Sequence, residues 1–275
     1  MSYDPTIGRW LQQDPEGYVD GQNAYQMERS NPVAFVDPFG LFGSLGAGNG
    51  HEVVTQRGLA ESGLPHEIID IILRANTGQD IGYQNNSYPF NDPSNHGDNS
   101  LFGDTFEFMN WRWNSIRNTA GKGTCVTCEE LYEALKDFGK ILHAIQDIYA
   151  HSNYIEMMNE KMGGGADVGA ENPIPLWPMG PGASYIPEGV FSGNYIFHAP
   201  LPWLRDPSPF PTHDLTSKDS PDSPAGRVTN RNGVSMYDLA VDAAARSTSE
   251  AWDQFAEMFP NILSQIERCD LSWPK

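Results

Sequence analysis

Residues 142–153 read Leu-His-Ala-Ile-Gln-Asp-Ile-Tyr-Ala-His-Ser-Asn. His143, Asp147 and His151 stand four residues apart, and because an α-helix turns once in about 3.6 residues, they share one face of a predicted helix. Apolar residues fill the other faces, so the polar stripe is expected to point into the protein, where an unpaired charge is costly. Two imidazoles and a carboxylate are ligands that zinc takes. The segment therefore predicts a buried metal site on a central helix.

The charge of the chain restricts the partners that it is expected to bind. Its 275 residues include 36 acidic and 17 basic side chains, and the formal net charge is −19. Nucleic-acid-binding proteins usually present a basic face, because contacts to phosphates supply much of their affinity. Nucleic acid is therefore not an expected partner. The sequence has no run of about 18 apolar residues and no basic, apolar leader, so neither a transmembrane helix nor an ordinary signal peptide is predicted.

The three cysteines are too few for a disulfide scaffold. Cys125 and Cys128 form a C-x-x-C motif near the start of the predicted central helix. A second such pair, which a four-cysteine zinc site requires, is missing from the sequence. A structural or incidental role is predicted for this motif, with a local disulfide or a redox role as the alternatives.

The pattern of apolar residues predicts a mainly α fold with a short N-terminal β appendage. Residues 1–41 alternate short aromatic strands with Pro and Gly turns, a β meander too small to fold alone. A Gly-rich linker follows at 42–50, and residues 51–275 form the predicted helical domain. Within it, residues 161–233 are rich in Pro and aromatic side chains and predict a long irregular flap, which either faces lipid or a partner or packs over the helices. Helices are predicted at residues 51–63, 65–76, 99–119, 127–160 and 234–267.

The N-terminal segment carries an ordered series of motifs: Tyr-Asp-Pro-x-x-Gly-Arg-Trp, Asp-Pro-x-Gly, Asn-x-Tyr, Asn-Pro and Asp-Pro-x-Gly-Leu. Together they resemble the end of the core of Rhs (rearrangement hot spot) repeat-associated proteins. The resemblance implies that the chain beyond Leu41 is a variable toxin, released by self-cleavage that makes Phe42 the new N-terminus. Aspartates carry out the cleavage in that family. Asp14 matches one of their motif positions, and Asp37 opens the boundary motif.

The Rhs resemblance also implies partners and a destination. The expected partners are the Rhs core, the secretion machinery and a cognate immunity protein. A specialised secretion system would deliver the toxin into a target cell, which agrees with the lack of a recognisable signal peptide.

Other His and Asp residues are spaced as further metal ligands would be. His51 begins a predicted helix, Asp80 and His96 follow the next helix, and His213 lies in the flap. This order, together with the motif at 142–153 and Glu156, resembles the zinc-dependent phospholipase C family, its HET-C-like relatives and related single-strand nucleases. The resemblance implies an all-helical fold with a zinc cluster that cleaves phosphate esters. One to three Zn²⁺ ions are expected, with the candidate ligands His51, Asp80, His96, His143, Asp147, His151 and His213.

The leading functional prediction is a toxin whose metal-dependent phosphodiesterase acts on membrane phospholipids. Catalytic roles are predicted for His143, Asp147 and Glu156. The spacing of His151 departs from that of the bacterial phospholipases. In those enzymes the free α-amine joins the metal shell, which implies that release at Phe42 completes the site; the alternative is that Phe42 is simply a linker residue. Two alternatives remain open: a metal-dependent nuclease of the same fold, and a non-catalytic helical toxin that binds or inserts into its target.

Overall fold

The computed structural model divides the chain into two units, Met1–Ala47 and Gly48–Lys275. In the first unit, β1 (Tyr3–Asp4) pairs with β2 (Arg9–Trp10) in antiparallel register, as expected for the start of a β appendage. The structure describes residues 3–4, 9–10, 50–79, 93–123, 126–163, 168–194, 211–260, 265–266 and 268–269. Five predicted site residues lie outside these ranges: Asp14, Asp37, Leu41, Phe42 and Asp80.

The second unit is mainly helical in its described ranges, which confirms the predicted fold class. Each of the five helical segments predicted from the sequence has a counterpart. Two further helices of a single turn, α3 and α7, were not predicted. The helices are α1 (Gly50–Leu59), α2 (His66–Thr77), α3 (Pro93–His96), α4 (Phe102–Ala120), α5 (Cys128–His151), α6 (Tyr154–Lys161), α7 (His213–Thr216) and α8 (Met236–Met258).

Helix α5 is the central element of this unit. It packs against α2, α4 and α8, and its N-terminus is closed by a capping box between Thr127 and Glu130. Its C-terminal half is buried on every face, since each residue of 141–149 is at most 3% exposed. A helix buried all round is expected to be apolar all round. The polar residues of this half therefore need partners inside the protein, as the sequence predicts.

The predicted helix at 127–160 is interrupted at Ser152 and Asn153, so the prediction of one continuous helix was wrong. Ser152 has extended backbone angles and pairs with Ser192 in an isolated bridge. The backbone N–H of Asn153 donates to the carbonyl oxygen of Phe191 at 2.9 Å. The backbone groups that would continue α5 are thus used by the segment around residue 192. The interruption ends α5 at His151, and α6 begins at Tyr154.

Two glycines permit close packing of the helices around α5. A Cβ atom on Gly139 of α5 would lie 2.8 Å from the Cβ of Ala75 on α2. A Cβ atom on Gly58 of α1 would lie 2.5 Å from the Cβ of Thr248 on α8. Real Cβ contacts are longer than this, so larger residues would force the helices apart. The glycines therefore allow polar side chains of α1, α2, α5 and α8 to meet.

The described parts of the predicted flap, 161–163, 168–194 and 211–233, are irregular except for Lys161, which ends α6, and for α7. Trp177 is 1% exposed, and its ring lies 5.3 Å from the rings of both Phe102 and Tyr154. This part of the flap therefore packs over the helices. No helix among the described residues is long and apolar enough to cross a membrane.

A disulfide joins Cys128, the first residue of α5, to Cys269 near the C-terminus of the chain, 141 residues away in sequence. Cys128 therefore does not pair with Cys125 in a local C-x-x-C disulfide. The long-range bond ties the start of the central helix to the segment that follows α8.

Candidate metal centre

Three histidines from α1, α3 and α5 converge on the carboxylate of Asp147, which is itself on α5. His51 Nε2 lies 3.0 Å from Asp147 Oδ1, and His143 Nε2 lies 3.0 Å from Asp147 Oδ2. His96 Nδ1 lies 2.8 Å from Asp147 Oδ2 and 2.8 Å from His143 Nε2. We call His51, His96, His143 and Asp147 the first group. Its members are buried apart from His51, which is partly exposed.

Two further histidines and two aspartates form a second group next to the first. His151 Nε2 lies 3.0 Å from Asp219 Oδ1, and His213 Nδ1 lies 3.1 Å from Asp98 Oδ1. His151 Nδ1 is 3.2 Å from the same Asp98 oxygen, and the rings of His151 and His213 meet edge to face at 4.4 Å. The second group therefore consists of Asp98, His151, His213 and Asp219.

The two groups form one continuous site. His151 Nε2 of the second group lies 3.7 Å from Asp147 Oδ1 of the first. In addition, His96 and Asp98 belong to different groups and are separated by Gly97 alone. Gly97 has φ +65°, a left-handed conformation that Gly adopts without strain. This turn lets one short segment serve both groups.

The flap places His213 by a chain of backbone hydrogen bonds. His213 N–H donates to the Asn194 carbonyl at 2.9 Å, and Asn99 N–H donates to the Gly193 carbonyl at 3.0 Å. A Cβ on Gly193 would lie 2.5 Å from the Cα of His213, so only Gly allows this approach. Residues 193–194 thus hold α7 against the turn that carries Asp98.

A buried lysine fixes the segment that carries Asp219. The Lys218 side chain is 0% exposed, and its Nζ donates to the carbonyl oxygens of Ser152 and Thr216 at 2.7 and 3.0 Å. It also donates to Glu156 at 3.1 Å. A buried charge is tolerated when it is paired and hydrogen-bonded in this way. Lys218 therefore secures the end of α5, the end of α7 and Asp219 to one another.

Glu156 pairs with Lys218 rather than with the histidine groups. The sequence-based assignment of Glu156 as a catalytic residue finds no support in this position.

The site carries an electric field that favours cations. Burial disfavours the charge of Asp147, yet the charges of His143, His151 and His51 outweigh it and hold the pKa of Asp147 well below its ordinary value. Burial lowers the pKa of His213, but hydrogen bonds to Asp219 and Asp98 dominate and raise it to about 9. The pKa of His151 is likewise raised well above its ordinary value against the effect of burial, by Asp219, Asp147 and Asp98. Each carboxylate thus draws positive charge towards the site.

The donor atoms fit divalent metal ions. One ligand atom each from His51, His143 and Asp147 lies within 4.8 Å of the others, and the same is true of Asp98, His151 and His213. Ligands around a tetrahedral zinc ion are about 3.4 Å apart, given bonds of about 2.1 Å. His151 Nδ1 is buried without a well-directed hydrogen bond, although Asp98 Oδ1 is close. Once an ion displaces its proton, this nitrogen can serve as a metal ligand beside the Asp98 carboxylate.

The structure thus brings together five of the six predicted metal-ligand histidines and aspartates of the helical core and adds His213 from the flap. Asp80, the remaining one, lies outside the described residues. Asp98 and Asp219 were not predicted as ligands. Asp98 stands two residues after His96 and Asp219 six residues after His213. The short sequence His96-Gly97-Asp98 was the feature that could have identified Asp98, because it places this carboxylate next to a predicted ligand.

A pocket of about 480 Å³ lies beside α7. Its wall combines apolar side chains with two glutamates, and the side chain of Leu215 is 59% exposed. Because Leu215 and Thr216 follow His213 on the same single-turn helix, this pocket and the second group share α7 as a wall. The lining residues are Asn153, Glu156, Met157, Glu160, Phe191, Pro211, Leu215 and Thr216.

Comparison with known proteins gives two separate likenesses. A family model described as the VWA7 N-terminal domain matches residues 54–165, less than half of the chain. That range includes His96, Asp98, His143, Asp147 and His151 but not His51, His213 or Asp219. The match therefore covers the part of the site that α3 and α5 supply.

Three curated proteins match over short segments. Toxin subunit YenC2 of Yersinia entomophaga is 54% identical over 39 residues, which are 14% of this chain and 4% of YenC2. Toxin subunit YenC1 of the same organism is 51% identical over 39 residues, again 14% and 4% of the two chains. Double-stranded DNA deaminase toxin A of Burkholderia cenocepacia is 50% identical over 46 residues, 17% of this chain and 3% of that protein. The matches thus span 3–4% of the length of these relatives, and no solved structure matches the chain.

Proposed function

We propose that this chain is the end of an Rhs-type polymorphic toxin whose helical domain is a zinc-dependent phosphodiesterase acting on membrane phospholipids. The observation that carries the proposal is the convergence of five histidines and three aspartates on one largely buried site. Sites with two or more divalent ions held by His and Asp are typical of enzymes that cleave phosphate esters. The toxin part of the proposal is supported by the three toxin relatives and by the motifs of residues 1–41.

Asp147 is the residue best placed to serve two ions. Its Oδ1 faces His51 and His151, whereas its Oδ2 faces His143 and His96. A carboxylate that directs its two oxygens to different sets of imidazoles can hold two ions at a fixed separation. Bound zinc would supply Lewis-acid polarisation of a phosphoryl oxygen and a lowered pKa of the attacking water.

The charge of the site explains why it would bind a phosphodiester only when loaded with metal. Asp98, Asp147 and Asp219 contribute three negative charges, and neutral histidines contribute none. Two divalent ions bring four positive charges, which leaves the site with a net positive charge. An anionic phosphate is then attracted, although the chain as a whole carries a net charge of −19.

The surroundings of the site favour a phospholipid over a nucleic acid. Apolar groups of Met157, Phe191 and Leu215 line the pocket beside α7, and this lining suits an amphiphilic substrate. A long nucleic acid would meet a strongly acidic surface. Deamination is disfavoured as well, because nucleobase deaminases hold zinc through His and Cys ligands. In this chain Cys128 is engaged in a disulfide, and the candidate ligands are His and Asp.

Activity on defined substrates tests the proposal. The full chain, loaded with zinc, is expected to release phosphorylated headgroup from phospholipid vesicles, and chelation or Asp147→Asn should abolish the release. Asp253→Asn, which removes an exposed acid from α8, serves as the control with the same change in charge and should retain activity. Degradation of single-stranded DNA or RNA in place of lipid would favour the nuclease. A zinc-loaded protein that cleaves neither substrate would refute an enzyme of this class.

The partners follow from the same proposal. Release past Leu41 would separate the helical domain from the Rhs core that the secretion machinery delivers. The producing cell then needs an immunity protein, and the acidic surface of the chain favours a basic one. Binding of a candidate immunity protein, with loss of vesicle hydrolysis, would test this part.

A further inference from the structure

Four helices each contribute one buried polar side chain to a network beneath the first group. Thr55 of α1, Asn76 of α2 and Thr248 of α8 are 0% exposed, and Gln146 of α5 is 3% exposed. None of these four residues is a metal ligand in the arrangement described above. A buried polar side chain destabilises the fold unless it is hydrogen-bonded. The role of these four residues therefore depends on what each of their hydrogen bonds does.

The hydrogen bonds of this network couple the directions of the two amides. Asn76 Nδ2 donates to Thr55 Oγ1 and to Gln146 Oε1, both at 3.0 Å. Gln146 Nε2 donates to Thr55 Oγ1 at 3.0 Å and to Thr248 Oγ1 at 3.1 Å. If only Asn76 were reversed, its carbonyl oxygen would face that of Gln146. If only Gln146 were reversed, its NH₂ group would face that of Asn76. The two amides therefore keep one direction relative to each other, and in the observed direction both amide oxygens face histidines.

Each amide oxygen faces one histidine of the first group. Gln146 Oε1 lies 2.8 Å from His51 Nδ1, and Asn76 Oδ1 lies 3.3 Å from His143 Nδ1. An amide oxygen accepts and does not donate, so the ring hydrogen of each neutral imidazole must sit on Nδ1. Nε2 of each ring is then left with its lone pair, and each Nε2 lies 3.0 Å from an oxygen of Asp147.

We propose that Gln146 and Asn76 are positioning residues that fix the tautomers of His51 and His143, so that Nε2 of both rings faces the metal. This inference rests on the proposed metal site and extends it to residues outside the ligand set. A hydrogen bond to the far nitrogen orients a ligating imidazole, and loss of such a partner typically weakens metal affinity about 10- to 100-fold. The stacking of the two rings, with centroids 4.3 Å apart, means that a tilt of one ring disturbs the other.

Zinc affinity and ring tautomers test the inference without an activity assay. In Gln146→Met, which keeps the size of the side chain but removes the acceptor, zinc affinity measured against a chromophoric chelator should fall about 10- to 100-fold. In Gln146→Glu, which restores an acceptor oxygen, most of that affinity should return. Ile145→Val, a neighbouring buried change on α5, is the control and should leave zinc affinity unchanged.

Nitrogen-15 NMR of labelled histidines in the zinc-loaded wild type provides a second measurement that does not depend on any variant folding. Two rings with a protonated Nδ1 and a zinc-bound Nε2 are expected, assigned by their loss in His51→Gln and His143→Gln. Ligation through Nδ1 in either ring, or equal zinc affinity in Gln146→Met and the wild type, would overturn the inference. A zinc-loaded protein with the expected tautomers but without phosphodiesterase activity would contradict the proposed function and leave this inference intact.

Discussion

Lys218 Nζ lies 3.1 and 3.3 Å from the two carboxylate oxygens of Glu156, so the lysine pairs with both oxygens at the edge of the site. The lysine is fully buried, whereas the Glu156 side chain is 37% exposed. The pair links α6 to the segment that ends in Asp219. Glu156 is therefore defined by its contacts as the counter-ion of a buried cation.

This pairing predicts how the two residues respond to substitution. Lys218→Met leaves two backbone carbonyls and Glu156 without their donor, and we expect the free energy of unfolding to fall by about 2 to 3 kcal/mol, a value reduced by the solvent access of Glu156. Glu156→Gln should lower stability as well but keep vesicle hydrolysis within about tenfold of wild type, since it touches no candidate ligand. Urea unfolding and headgroup release measure the two effects. A loss of hydrolysis by several orders of magnitude in a stable Glu156→Gln protein would restore the catalytic assignment.

Asp147 is expected to control the metal content of both groups. Asp147→Asn removes a charge that faces His51 and His151 with one oxygen and His143 and His96 with the other. The bound zinc per chain, measured by elemental analysis after gel filtration, should fall for the whole site. His213→Ala should lose metal from the second group alone, because its contacts are to Asp98 and Asp219. Equal zinc content in Asp147→Asn and wild type would contradict the proposed centre.

Gly97 is predicted to be essential for placing His96 and Asp98. In Gly97→Ala the left-handed backbone costs about 1 to 2 kcal/mol, and the new Cβ would lie 2.8 Å from Ile148 Cγ1. Both groups should therefore bind zinc more weakly. Gly123→Ala is a matched control, because Gly123 has φ +57° with no heavy atom within 4 Å of the added Cβ. It should show the backbone cost in thermal unfolding while zinc affinity stays unchanged, and equal affinity losses in the two variants would argue against a specific role of Gly97.

The raised pKa of His213 predicts how stability depends on pH once metal has been removed. The pKa of His213 rises from 6.5 to about 9 on folding, and that of His151 also rises. A protonated histidine that gains partners stabilises the fold fully below pH 6.5, and this contribution is lost as the pH rises through about 9. The free energy of urea unfolding in a chelator should therefore decrease between pH 6.5 and 9.

His213→Gln is the matched control for this pH dependence. It keeps a polar side chain that does not titrate, so its stability should change less over the same interval. The lowered pKa values of Asp98, Asp147 and Asp219 affect stability at acidic pH. Their contribution to the free energy of unfolding is lost as the pH falls below their ordinary value of 3.8. A stability that increases between pH 6.5 and 9 in the metal-free wild type would contradict these ion pairs.

Local patterns in the sequence predict much of this structure. The four-residue spacing of His143, Asp147 and His151 predicts a buried polar face of α5, and burial of residues 141–149 confirms it. Helical periodicity is a local property, so the five main helices are also recognisable. The break at Ser152 is not, because it depends on hydrogen bonds to residues 191 and 192, about forty positions away.

Contacts between residues far apart in sequence also decide which residues belong to the site. Asp219 becomes a candidate ligand because Lys218 is anchored to Ser152 and Glu156, and a contact across more than sixty residues leaves no local pattern. The pairing of Cys128 with Cys269 is non-local as well, whereas the nearby Cys125 suggested a local motif. Gln146 lies inside the segment that decides the fold, yet its role depends on Asn76 and His51 from other helices. The sequence shows which residues are chemically able to bind metal, but the packing of the helices decides which of them lie together.

The order of the candidate ligands along the chain determines when during folding the site can form. His51 belongs to the first helix of the domain, and Asp219 lies in the irregular segment between α7 and α8. An incomplete or unfolded chain therefore has no assembled centre, and its scattered imidazoles bind ions weakly and separately. A protein that is threaded through a narrow conduit in an extended form would arrive inert. Under the proposed function it would acquire its ions where folding finishes, and the metal supply there would set when the centre becomes complete.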